Sequence, residues 1–81
     1  MSWTVYILEC ADSSLYTGIT MDLERRLDEH SKGKGAKYTK HRGPFRVVFT
    51  EFRDTRGQAL KREATIKSMK REDKISLIGT R

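Results

Sequence analysis

Five side chains of this sequence have the chemistry that cleavage of a phosphodiester bond requires. Tyr6 and Tyr16 lie in two short apolar segments, Arg26 and His30 follow at a spacing of four, and Glu63 comes later in the chain. A phosphoryl-transfer site needs a group that activates a nucleophile, a cation that holds the phosphate and usually a metal ligand. The phenols and the imidazole are candidates for the first role, the guanidinium for the second and the carboxylate for the third.

Four of these side chains also have an interpretation that involves no chemistry. Aromatic residues in strands usually pack against cross-strand neighbours, so Tyr6 and Tyr16, taken singly, are typical of a core. The spacing of Arg26 and His30 places them on one helix face, which fits an ordinary solvated basic surface as well as a site. Only their combination favours chemistry.

Glu63 lies at a position where a carboxylate needs a partner. At 100° per residue it falls on a helix arc shared with Ala59, Leu60 and Ile66. An ion left unpaired in an apolar setting is strongly unfavourable, so the carboxylate requires a metal ion, a cation or water. A pair with Lys67, one helical turn later, is the alternative that involves no metal.

A hairpin must position the two tyrosines. Residues 3–10 and 15–20 are rich in β-branched and aromatic types, and turn-forming residues separate them. Because side chains alternate between the two faces of a sheet, Tyr6 and Tyr16 share a face only if the loop has an odd number of residues. A three-residue loop predicts that Tyr6 lies opposite Gly18 or Thr20.

Helices and a further strand must carry the other groups. Propensity, spacing and capping residues predict four elements. The first is a helix that is capped by Asp22 and ends at residues 31–33, and the second is a strand over residues 46–53. The third is a helix that begins at the capping box of Thr55 and Gln58 and runs to about Met69, and the fourth is an amphipathic stretch over residues 71–78. Ile75, Leu77 and Ile78 of the last stretch can cover the core.

The segment between the first helix and the third strand, residues 32–46, is a basic, glycine-rich loop. The loop contains cations that can contact phosphates, namely Lys34, Lys37, Lys40 and Arg42, and an aromatic ring that can stack on a base, Tyr38. Lys67 of the later helix is a further nucleic-acid-binding candidate. The glycines allow close approach of backbone to a strand. An ordinary solvated loop is the alternative.

Composition limits the class of protein and of partner. With 81 residues, the chain is expected to form a single domain over residues 1–81, and its net charge of +6 indicates a polyanionic partner, for which DNA, RNA and anionic lipid all qualify by charge. The single Cys10 excludes an internal disulfide and a zinc site with several thiolates. Neither a membrane span nor a signal peptide is indicated, so we expect a cytoplasmic protein, associated with the nucleoid if bacterial, or a nuclear one if eukaryotic.

Four features occur in order along the chain: the motifs Val5-Tyr6-Ile7 and Tyr16-Thr17-Gly18, the helix over residues 22–30, and Glu63. Together they resemble the pattern of the GIY-YIG nuclease superfamily. The resemblance covers residues 3 to about 78, and it is closest to small single-domain bacterial members that are similar to the catalytic domain of branched-DNA nucleases. It implies an α+β fold, in which helices flank a three-stranded antiparallel sheet.

The resemblance also implies a role for each candidate residue. Tyr6 would lie close to the attacking water and Tyr16 at the phosphate. Arg26 would clamp the phosphate, and His30 would act as an auxiliary base or relay. Glu63 would be the main protein ligand of one divalent ion, Mg²⁺ or Mn²⁺.

Two departures from the pattern bear on activity. Val5 stands where the first motif of the family begins with Gly, and Ile75 stands where several family nucleases carry an Asn. Our leading hypothesis is a metal-dependent DNA endonuclease that selects structure over sequence, in repair or recombination. A non-catalytic module that binds DNA or RNA is one alternative, and an interaction subunit of a larger nuclease complex is another.

Overall fold

The fold is an antiparallel sheet with helices against it. A computed structural model describes residues 2–34, 40 and 42–79. In this described part of the chain, the elements are β1 (Trp3–Glu9), β2 (Leu15–Thr20), α1 (Leu23–Ser31), β3 (Arg46–Arg53), α2 (Arg56–Lys67) and α3 (Arg71–Gly79). The strands pair in the order β2-β1-β3, with β1 antiparallel to both neighbours. The predicted α+β fold is confirmed.

The hairpin has the register that the tyrosines require. Tyr6 pairs with Gly18 across β1 and β2, as predicted for a three-residue loop. The Cys10 amide donates to the Ser14 carbonyl over 2.9 Å, which leaves residues 11–13 as the loop. Ser13 has a φ of 68°, the left-handed conformation that closes such loops.

Both predicted helix starts are present, and they rest on local hydrogen bonds. The Asp22 carboxylate accepts a hydrogen bond from the Arg25 amide over 3.1 Å at the start of α1. Thr55 and Gln58 form the reciprocal capping box that opens α2. These bonds satisfy amides that have no partner within the first turn of a helix.

The hydrophobic core lies between the sheet and α2. Buried Val5, Ile7 and Phe49 pack with Ala59 and Ile66. The partly buried Leu77 and Ile78 of α3 extend this core, whereas Ile75 is 51% exposed and does not cover it.

The predicted apolar arc of α2 is wrong on one side. Leu60 is 38% exposed, because the helix contacts the sheet through Ala59 and Ile66 and not through the middle of that arc. On the other side, Arg62 extends to Glu51 of β3 with its Nε 2.8 Å from Oε1. This ion pair and the small Ala59 side chain place Leu60 towards solvent.

Among the helices described, none is both long and apolar enough to cross a bilayer.

Candidate active site

A buried pair of side chains lies at the centre of the site. The Tyr6 hydroxyl is 3.0 Å from Nε2 of His30, and both residues are 1% exposed. Tyr6 comes from the middle of β1 and His30 from the last turn of α1. The hydrogen bond therefore joins the sheet to the first helix.

Further aromatic rings surround this pair and form an aromatic cluster of Tyr6, Tyr16, His30 and Phe45. The Tyr16 ring centroid lies 6.4 Å from that of Tyr6 and 5.3 Å from that of His30. The Phe45 ring lies 5.8 Å from the His30 ring on edge. Tilted and edge contacts at these distances are favourable, so the cluster holds the imidazole and the phenols in fixed orientations.

Gly18 makes room for the Tyr6 phenol. A Cβ atom at position 18 would lie 2.6 Å from the Tyr6 hydroxyl oxygen, 2.7 Å from Cζ and 3.1 Å from Cε2 of Tyr16. The phenol of Tyr6 thus crosses directly over its cross-strand partner, which only glycine permits.

Replacing Gly18 by Ala is therefore expected to move the Tyr6 hydroxyl away from His30. The added methyl cannot be accommodated in a buried, rigid ring cluster, so we expect a loss of about 1–3 kcal/mol in the free energy of unfolding. Urea denaturation of native protein and Gly18→Ala measures this loss. Gly57→Ala is the control, because nothing lies within 4 Å of a Cβ there; equal stability of Gly18→Ala and native protein would contradict the close approach.

Arg26 links the buried pair to the surface. Its interaction with the Tyr6 hydroxyl raises the pKa of Arg26, and its Nη1 lies 3.2 Å from Oε1 of Glu29. Burial raises the pKa of Tyr6, and the interaction with the Arg26 guanidinium acts in the opposite direction. The phenol is consequently protonated near neutral pH, with a fixed cation beside its oxygen.

Glu63 and Lys67 of α2 approach the same cluster from another side. The Glu63 side chain is 18% exposed, and Oε2 lies 3.5 Å from Nζ of Lys67. The charge of Glu63 acts on the Tyr6 hydroxyl and contributes to its raised pKa. Lys67 also lies 5.9 Å from the centroid of the Tyr16 ring. The ion pair that the sequence offers as an alternative to a metal is thus present, with its lysine half-exposed.

Comparison with known proteins decides the family. A family model described as the GIY-YIG catalytic domain matches residues 2–76. The chain belongs to the GIY-YIG family. A UPF0213 protein of Staphylococcus saprophyticus is 50% identical over 75 residues, which are 93% of this chain and 92% of that protein.

Two solved structures of similar proteins confirm the fold. The solution NMR structure of a UPF0213 protein from Bacillus halodurans has a TM-score of 0.66 at 46% identity and covers all of this chain and 86% of the other. That of a protein from E. faecalis has a TM-score of 0.69 at 41% identity, with 99% and 85% of the two chains covered. Both neighbours are similar to this chain over nearly its full length.

GIY-YIG nucleases generally use a divalent metal, so the question is whether the side chains of this site can act as ligands of such an ion. No group of three or more His, Cys, Asp or Glu side chains able to hold an ion occurs among the described residues. The carboxylate of Glu63 is the acidic group that acts on the Tyr6 hydroxyl. One carboxylate together with water and substrate phosphate oxygens is a common set for Mg²⁺, so the residues fit a weakly held ion of this kind.

The basic candidates differ in their surroundings. Lys34 and Lys40 are exposed, whereas Arg42 pairs with Asp12 of the hairpin loop and its carbonyl accepts a hydrogen bond from the Ala11 amide. Through these two contacts, Arg42 connects the basic loop to the hairpin. Lys37 and Tyr38 lie outside the described residues.

His30 of the GIY-YIG site is expected to make stability depend on pH. Burial lowers its pKa and the charge of Arg26 lowers it further, against a smaller opposite effect of Glu29. As pH falls below about 6.5, the unfolded chain binds a proton at this position before the folded protein does, so stability decreases until the lower folded pKa is passed. Urea denaturation between pH 8 and 5 should show a decrease that is smaller in His30→Gln. Equal slopes in both proteins would exclude a neutral buried imidazole.

The sequence does not indicate the roles of two residues of the site. The hairpin pattern predicts Gly18 or Thr20 opposite Tyr6, but it does not predict the close approach of Gly18 to the hydroxyl, although a glycine inside a strand is a signal for this. Phe45 follows Pro44 in the basic loop, and no local pattern indicates that its ring packs on His30.

Proposed function

We propose that this chain is a metal-dependent endonuclease that hydrolyses phosphodiester bonds in DNA, selects structure over sequence, and acts in repair or recombination in the bacterial cytoplasm at the nucleoid. The observation that carries the proposal is the buried hydrogen bond between Tyr6 and His30, with Arg26 and Glu63 acting on the same hydroxyl. The net charge of +6 suits a nucleic acid substrate.

The pair of Tyr6 and His30 would move the proton of the attacking water. Because the Tyr6 phenol is protonated near neutral pH, it can accept a proton from water only if it passes its own to His30 Nε2. The lowered pKa of His30 keeps its ring neutral and able to receive that proton. This role requires the tautomer with the proton on Nδ1, which we assign to the active protein.

Three other side chains would hold the phosphate and its charge. The guanidinium of Arg26 would bind phosphoryl oxygens and offset the charge that develops on them. Tyr16 would donate its hydroxyl to the phosphate. Glu63 would hold the divalent ion, which when bound stabilises negative charge on the leaving oxygen.

A non-catalytic nucleic-acid-binding module is the second candidate. The position where several family nucleases carry an Asn is the half-exposed Ile75, which supplies no polar group. The pairing of Glu63 with Lys67 also gives the carboxylate a partner without any metal. Both features suit a protein that binds nucleic acid without cutting it.

Cleavage assays on defined substrates separate the two candidates. Native protein is incubated in Mg²⁺ or Mn²⁺ with labelled duplex, single-stranded, flap and four-way-junction DNA. A single-stranded RNA of the same sequence is tested in the same way. Metal-dependent cutting that prefers the flap or junction supports the proposal. Binding of these substrates with no cutting in either metal would support the module instead.

A further inference from the structure

A basic groove lies on the side of Tyr16 that faces α2 and α3. It has a volume of about 360 Å³, and its lining consists of Leu15, Tyr16, Thr17, Lys67 and Lys74. Three consecutive residues of the edge strand β2 form one side, and one lysine from each helix forms the other. Tyr16 is shared with the aromatic cluster, so the groove adjoins the candidate active site.

Thr17 lines this groove, and its hydroxyl has no hydrogen-bond partner among the residues that the structure describes. Thr17 is 3% exposed, and its Oγ1 is buried without a hydrogen-bond partner in the described part of the chain. A buried hydroxyl of this kind is unfavourable unless a ligand or water bonds to it. The groove that Thr17 lines is the place from which such a partner can come.

The groove suits an anion because every charged side chain that lines it is a lysine. Lys74 is half-buried and forms no ion pair with any residue that the structure describes. The ammonium of Lys67 is 5.9 Å from the Tyr16 ring centroid and is partly neutralised by Glu63. The two ammonium groups offer donors to a phosphate oxygen, and the buried Thr17 hydroxyl becomes a third donor when the ligand displaces the atoms that cover it.

We infer that this groove binds a backbone phosphate of the nucleic acid, adjacent in the strand to the phosphate held at Tyr16 and Arg26. The inference rests on the proposed function, and it extends it by assigning Thr17 and Lys74 to substrate binding. The bound nucleic acid would then run across the protein from the aromatic cluster, over the edge of β2, towards α3.

Salt-dependent binding tests the assignment. A fluorescein-labelled 20-base-pair duplex is titrated with protein in EDTA, so that no cutting occurs, at several salt concentrations. Lys74→Gln is expected to weaken binding about fivefold near 0.1 M salt and to lower the salt slope by about 1, the amount for one lost phosphate contact. Lys61→Gln is the control, because it removes the same charge from an exposed position of α2 outside the groove.

Substitutions of Thr17 test the hydroxyl itself. Thr17→Val keeps the volume and removes the unpartnered oxygen, so its melting temperature should equal or exceed that of native protein while duplex binding weakens at least twofold. Thr17→Ser keeps the oxygen and should bind like native protein. A purely structural threonine would leave binding by the folded Val variant unchanged, which would overturn the assignment.

The outcomes separate this inference from the nuclease proposal. Equal affinities and salt slopes for Lys74→Gln and Lys61→Gln would overturn the groove assignment even in a protein that cuts DNA. A protein that shows the lower slope for Lys74→Gln, yet cuts no substrate in Mg²⁺ or Mn²⁺, would retain the groove and lose the nuclease function. Absence of binding by native protein to duplex, single-stranded, flap and four-way-junction DNA alike would overturn the groove assignment directly.

Discussion

Replacing Glu63 by Gln is expected to lower the rate of DNA cleavage by about 10²- to 10⁴-fold, while affinity for the uncut substrate in EDTA changes less than about twofold. The amide keeps the size of the side chain but is a poor ligand for a hard divalent cation, and a bound metal contributes several kcal/mol of transition-state stabilisation. The ion pair with Lys67 is also lost, but a pair whose lysine is half-exposed to solvent contributes about 0–1 kcal/mol to stability. Single-turnover cleavage with protein in excess measures the rate without interference from product release.

Glu24→Gln provides a matched control for this experiment. Glu24 is an exposed carboxylate in the first turn of α1, so its replacement changes the net charge by the same amount outside the site. Its cleavage rate should stay within about twofold of native. Similar rates for native protein, Glu63→Gln and Glu24→Gln would exclude a catalytic role for Glu63.

A readout other than activity addresses the metal directly. Mn²⁺ is paramagnetic and broadens the NMR signals of amides close to it. In native protein, titration with Mn²⁺ should broaden the amide signals around residue 63 first, and this selectivity should be absent from Glu63→Gln. Selective broadening around another acidic side chain would assign the ion to a different ligand.

The elements of the fold that sequence predicts correctly are those fixed by neighbouring residues. The bounds of β3, the cap at Asp22 and the capping box at Thr55 depend on side chains that act within one turn or one strand. The hairpin register follows from alternation and from the short loop between β1 and β2. In each case, the determining interactions are local.

The features that sequence does not predict depend on packing between distant segments. Leu60 belongs to the apolar arc by angle, but Arg62 finds Glu51 eleven positions earlier and fixes the rotation of α2. The ring of Phe45 meets His30 across the basic loop. Helix periodicity identifies a candidate face, and only the tertiary partners select the part of it that is buried.

The same distinction applies to the candidate site. Sequence patterns indicate which of Tyr6, Tyr16, Arg26, His30 and Glu63 have suitable chemistry, but not how close they lie. The hydrogen bond between Tyr6 and His30 spans 24 positions in the chain, and the raised pKa of Tyr6 results from burial under other elements. The roles that the family resemblance implies for these residues remain predictions that substitutions must test.

Replacing Tyr6 by Phe is expected to lower the cleavage rate by at least about 10²-fold, since it removes the hydroxyl that would transfer the proton of the attacking water. The ring and its packing are retained. The buried hydrogen bond between the Tyr6 hydroxyl and Nε2 of His30 is lost, which should reduce the free energy of unfolding by about 1–3 kcal/mol. Cleavage is therefore measured at a temperature at which circular dichroism shows the variant to be fully folded.

A double-mutant cycle distinguishes chemistry from packing at this position. If Tyr6 and His30 act as one proton relay, Tyr6→Phe and His30→Gln should each cause most of the rate loss, and the double variant should be little slower than either single one. Two independent roles would instead give rate losses that multiply. A folded Tyr6→Phe protein that cuts at the native rate would leave Tyr6 a packing residue only, and the buried hydrogen bond would then serve to hold α1 on the sheet.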